Sequence, residues 1–164
     1  MGQRELLLTL GAIFIFSTIT LRINQATVRN SESIYDRQAE FYALSVAQRF
    51  IEEAKTKAFD EFTIAGNPGS IPGGFNATPM GSGPLENYPD FDDIDDFNGY
   101  SATIDTKMGQ MSVSVDVDYV EDSDLETTVN PTRTFYKRMR VTVQSDYLLS
   151  PVIAEYVFAF QKNY

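Results

Sequence analysis

The sequence predicts an α+β chain in which a long amino-terminal α-helix packs on a four-stranded antiparallel β-sheet. Three observations carry this expectation. Leu6–Leu21 is an uncharged apolar run, and from Ile23 to about Phe59 the chain contains neither Pro nor Gly. Farther on, Met111, Val113, Val115, Val117 and Tyr119 alternate strictly with Ser112, Ser114, Asp116 and Asp118. A helix former without breakers reads as one helix, and a period of two reads as a strand with one buried face.

The chain has 164 residues, a formal charge of −10, and no His, Cys or Trp. That length suits one ordinary domain with an appendage. An acidic chain lacks the cationic face that phosphate binding needs, so nucleic acid is not an expected partner. With no imidazole or thiol, disulfides, thiolate chemistry and the usual zinc ligand sets are excluded. No nucleophile–base pair or phosphate loop can be assembled from what remains, and the chain is not expected to be an enzyme.

Residues 1–22 form the first region, an apolar helix. Leu6–Leu21 would span roughly 24 Å at 1.5 Å per residue, somewhat short of a hydrocarbon core of ~30 Å. A cleaved secretory signal is the competing reading, but no small-x-small cleavage site is evident and the helix signal continues through the expected cleavage zone. Thr9, Ser17, Thr18 and Thr20 are tolerable in lipid because a hydroxyl can bond a carbonyl one turn back. Glu5 is costly in an apolar setting unless a cation meets it. It is either a juxtamembrane charge beside Arg4 or a partner for the α-amino group of Met1 in an adjacent copy.

Residues 23–60 read as the amphipathic continuation of the same helix. Ile34, Phe41, Leu44, Ala47, Ile51, Ala54 and Ala58 recur mostly at three- and four-residue steps, a stripe expected to cover the sheet. Glu53 and Lys57 stand in the favourable i, i+4 order.

Residues 61–99 are a Gly/Pro-rich and acidic loop. Asn76-Ala77-Thr78 is a glycosylation sequon, and Glu86, Asp90, Asp92, Asp93, Asp95 and Asp96 cluster with no basic residue among them. The plainest reading of the cluster is a turn in which Asp side chains cap backbone amides, ending at Asn98-Gly99. A second is a calcium site, with Asp90, Asp92, Asp93, Asp95 and Asp96 as candidate ligands, since hard cations favour clustered carboxylates. The register does not fit an EF-hand.

Residues 100–164 supply the sheet. Tyr100, Ala102 and Ile104 share one face of the first strand. The second runs through Met111–Tyr119. In the third, Phe135, Met139, Val141 and Val143 point inward while Arg138, Arg140 and Thr142 point outward. The fourth turns Val152, Ala154, Tyr156, Phe158 and Phe160 inward. The acidic outer face of the second strand is expected opposite the arginines of the third. Glu121–Thr132 reads as an acidic loop.

Glu5 followed by the uncharged LLLTLGAIFIFS, an unbroken helix and a β-rich tail resembles the type IV pilin-like family, which includes type IV pilins and secretion pseudopilins. The resemblance implies a structural subunit of an extracellular filament, held in the cytoplasmic membrane before assembly and polymerising with copies of itself. It implies assembly through Met1, Glu5, Leu6, Leu7, Leu8, Leu10, Ile13, Phe14 and Phe16, with Glu5 recruiting and registering subunits. The start Met-Gly-Gln-Arg-Glu departs from the family's common Phe-Thr-Leu-Ile-Glu, and Arg22 stands where many pilins have Pro. Met1 is read either as a processed terminus or as the initiator. The alternatives are a pseudopilin or minor pilin of a secretion machine, and a monomeric membrane-anchored surface protein that binds through its acidic loop.

Overall fold

A computed structural model describes residues 2–64, 71–77, 81, 86–129 and 132–160. It has an α+β fold in which helix α1 (Gln3–Ala54) carries a face that packs on an antiparallel sheet. Two compact units divide the chain, one ending at Gln38 and the other running from Ala39 to the carboxy terminus. In the first unit the helix is exposed along almost its whole length. Its threonines bond back as the apolar setting requires, Thr9 to Leu6 O, Thr18 to Ile15 O and Thr20 to Phe16 O.

The second unit holds the sheet. It has five strands: β1 (Ser101–Thr106), β2 (Gly109–Glu121), β3 (Asp124–Thr128), β4 (Tyr136–Gln144) and β5 (Val152–Ala159). The order is β1-β2-β4-β5, with β3 paired to the end of β2. The expected fourfold sheet therefore gains a strand from the segment read as an acidic loop. Each of the five β3 residues is exposed, so no alternation between faces marks it out. Backbone pairing makes this strand, beside an irregularity at Val120/Glu121.

The expected cross-strand opposition is present in the register, with Asp116 opposite Arg140 and Asp118 opposite Arg138. Arg140 makes its ion pair on the other side, however, with Glu155 of β5 at 2.5 Å. Arg138 donates to the Glu126 carbonyl of β3.

The covering face of α1 keeps Ala47, Ile51 and Ala54 of the expected stripe but not Ile34, Phe41 or Leu44. Its buried residues are Ala39, Ala43, Ala47, Phe50, Ile51 and Ala54, whereas Phe41 is 68 % exposed and Leu44 40 %. Small side chains at steps of four let the helix approach Val113, Val115, Val117, Val141 and Val143, which close the same core. Close packing of this kind rewards fit over side-chain bulk. The helix also ends at Ala54, short of Phe59. Lys57 donates to the Phe91 carbonyl at 2.5 Å and does not meet Glu53, which instead accepts from the Tyr88 hydroxyl. The ion pair of the last turn is Lys55–Glu52.

After the helix, Ala58 forms a parallel bridge with Asp93, and α2 (Glu61–Ile64) follows. This bridge brings the end of α1 beside the acidic segment 90–99.

Candidate functional site

Two features stand out, one in each unit. The first is the apolar helix surface. Leu6, Leu7, Leu8, Leu10, Ile13, Phe14 and Phe16 are all large and exposed, from 53 % for Leu6 to 74 % for Leu8. A water-soluble surface rarely presents so much contiguous apolar area unless it meets lipid or protein. By length and composition, helix Gln3–Ala54, which carries these residues, could cross a membrane. Glu5 sits in the first turn and accepts a hydrogen bond from the Gly2 backbone N–H at 3.2 Å. It thus satisfies one of the donors that a helix start leaves open. Met1 lies outside the described residues.

The second feature is a buried charge cluster that the sequence reading did not name. Lys137, on β4, is completely buried, as are Asp60 and Asp95. Its Nζ lies 2.8 Å from Asp60 Oδ2 and 2.5 Å from Asp95 Oδ1, and donates to the Phe59 carbonyl at 2.7 Å. The rings of Phe59, Tyr119 and Phe75 surround the ammonium at 4.5, 5.3 and 5.9 Å. Burial of an ammonium is strongly unfavourable without such compensation.

The two flanking carboxylates differ. Asp60 is saturated: Oδ1 accepts the Phe62 N–H, and Oδ2 accepts the Asn76 N–H as well as the lysine. The Tyr119 hydroxyl lies 3.3 Å from Asp60 Oδ2 and 3.0 Å from the Asn76 carbonyl. Burial and the neighbouring Asp60 charge push that hydroxyl's pKa upward. Asp95 Oδ1 meets Lys137 as an ion pair, and neither Asp95 oxygen takes a hydrogen bond from any backbone donor. Burial pushes its carboxyl upward, against the opposing pull of Lys137.

Asp93 and Asp96 behave as turn formers. Asp93 Oδ1 accepts the N–H groups of Asp95 and Asp96, while Asp96 Oδ2 accepts those of Asp92 and Asp93. These reciprocal bonds shape the 3₁₀ turn Asp95–Phe97. The next turn uses Gly99, whose φ of +77° is disfavoured for residues with a Cβ. Asp93 Oδ2 is buried without a partner, and burial together with the charges of Asp95 and Asp96 raises its pKa to about 7.

Of the candidate calcium ligands, Asp93, Asp95 and Asp96 are buried, while Asp90 and Asp92 are exposed. Among the described residues, the carboxylates close enough to share a cation are Glu61, Glu86 and Asp92, with ligand atoms within 4.8 Å of one another. The Glu61 carboxyl is pushed upward by its surroundings and by Asp92 and Glu86. Asn76 is half-buried and its backbone belongs to the Asp60 network; Thr78 of the sequon lies outside the described residues.

The signal for Lys137 was present in the strand. It shares parity with Met139, Val141 and Val143, so alternation alone directs it inward. Comparison with known protein families, with characterised proteins and with solved structures finds no match.

Proposed function

We propose that the chain is the structural subunit of an extracellular type IV pilus-like filament, polymerising through its amino-terminal apolar helix. The observation that carries this reading is a contrast along α1. From Ala39 to Ala54 the helix buries an alanine face against its own sheet, whereas Leu6–Leu21 carries no charge and buries nothing. An apolar surface of that length needs a partner. Copies of the same helix supply one, and a contact repeated by a non-closing operation yields an open helical polymer. Before assembly, the bilayer would take the same place. Glu5 then contributes a carboxylate whose partner in an apolar setting sets the stagger between copies.

The test is to shear filaments from the surface of the native cell, purify them and identify their subunits by mass spectrometry. This chain as the abundant component supports the reading; filaments without it oppose it. A second reading, a monomeric membrane-anchored surface protein, is favoured by the same long apolar helix. It predicts single molecules in lipid with no ordered assembly at any concentration.

A further inference from the structure

We infer that Lys137 and Asp95 are the partners of an intramolecular isopeptide bond, which the folded chain forms without an external catalyst. The inference rests on the second unit alone and does not depend on the filament reading.

Amide formation needs an amine and a carboxyl carbon in contact, a neutral form of each, and a route for water to leave. Lys137 Nζ lies 2.5 Å from Asp95 Oδ1, the oxygen bonded to the carbon to be attacked, and both side chains are fully buried. Holding reactants this way is worth an effective concentration of roughly 10⁵–10⁸ M. Unlike Asp60, Asp95 has no backbone donor on either oxygen, and burial favours its neutral acid, the electrophilic form.

Asp60 takes the opposite role. Backbone donors from Phe62 and Asn76 occupy its two oxygens, and its Oδ2 already receives a hydrogen bond from Nζ at 2.8 Å. It is a poor electrophile and a good proton carrier. The rings of Phe59, Phe75 and Tyr119 close around Nζ and exclude water, which otherwise drives the amide back toward acid and amine.

The step balances without any redox partner. A proton passes from the Lys137 ammonium to Asp95, giving amine and carboxylic acid. Nζ attacks Cγ of Asp95 and the C–N bond forms. Asp60 then takes a second proton from Nζ and delivers it to the Asp95 hydroxyl, which leaves as water. Ammonium and carboxylate have become amide and water, and Asp60 is again a carboxylate. The product replaces a buried ion pair, costly to desolvate, by a neutral group. It also ties the 3₁₀ turn to the middle of the sheet in a chain that has no cysteine to do so.

The experiment is intact-mass spectrometry of the full-length protein, purified in detergent and then denatured, followed by proteolysis. The expected mass is one water below that of the sequence, with a branched peptide joining the Asp95 and Lys137 segments. Lys137→Arg and Asp95→Ala should each restore the full mass, and Asp60→Asn should leave a mixture. Wild-type protein at full mass after prolonged incubation at neutral pH overturns the inference. So does a water loss traced to an unbranched imide, or to a branch at Asp60. The wild-type measurement decides even where a variant fails to fold.

Discussion

Lys137 Nζ and Asp60 Oδ2 stand 2.8 Å apart with both side chains fully out of contact with solvent. One residue comes from the middle of the sheet and the other from the segment just after α1. Their meeting fixes where the chain goes once the helix ends.

Removing one member leaves a buried charge without its counter-charge. Lys137→Met removes the counter-charge of Asp60 and Asp95 or, once the amide has formed, the link itself, and should lower the unfolding free energy of the second unit by about 3–5 kcal/mol. Denaturant unfolding followed by tyrosine fluorescence measures it. A loss below about 1 kcal/mol would show that the cluster contributes little.

Asp93 predicts a pH dependence. Its folded pKa of about 7 lies above the ordinary carboxylate value, so the folded state binds the proton more tightly than the unfolded chain. The associated stability is fully present below the unfolded pKa, near 4, and is lost as pH rises through about 7. Asp93→Asn keeps an acceptor for the Asp95 and Asp96 amides while remaining neutral. It should flatten the profile and stabilise the protein at pH 8, by up to roughly 4 kcal/mol. Unfolding midpoints compared at pH 5 and pH 8 test this, and equal slopes for variant and wild type would refute it.

The alanine face of α1 predicts an inversion of the usual rule that larger apolar residues matter more. Ala47→Leu should destabilise the second unit by about 1–3 kcal/mol, because the fully buried face has no room for the added isopropyl group. Leu44→Ala, at a 40 % exposed position, should cost distinctly less. Paired denaturation curves decide between this face and the larger-residue stripe.

Gly109 opens β2 with φ of +103°, and a Cβ there would meet Tyr147 Cε2 at 2.7 Å. Gly109→Ala combines an unfavourable backbone with a clash, so a loss above about 1 kcal/mol is expected. The double variant with Tyr147→Ala should recover only the part due to contact. Full recovery would assign the whole cost to the ring.

Glu5→Gln tests assembly. The variant keeps an acceptor for the Gly2 amide, so the helix start should survive, and on the proposed filament function the protein should still reach the membrane. Filaments, counted by electron microscopy of sheared material, should be lost. Normal filaments from the variant would remove Glu5 from the assembly contact.

Much of the fold was legible because periodicity reports burial. Met111, Val113, Val115, Val117 and Tyr119 are all buried, as alternation predicts. Reading failed where size stood in for burial: Phe41 and Leu44 are larger than Ala39 and Ala43, yet the smaller residues face the sheet. β3 stayed hidden because an all-exposed strand has no two-residue rhythm. The acidic segment showed its turn chemistry, since aspartates near Asn-Gly favour local backbone capping. Its tie to Lys137 was missed because the contact joins two segments far apart in sequence, and the inward parity of Lys137 does not say which carboxylate meets it.

The alanines of α1 have a consequence for how the surface can evolve. The helix secures much of its seat through alanines that project barely beyond the backbone, which leaves Phe41 and Leu44 outside the buried core. Those outward positions can drift in shape and chemistry to suit whatever neighbour they meet, while the seat itself stays unchanged.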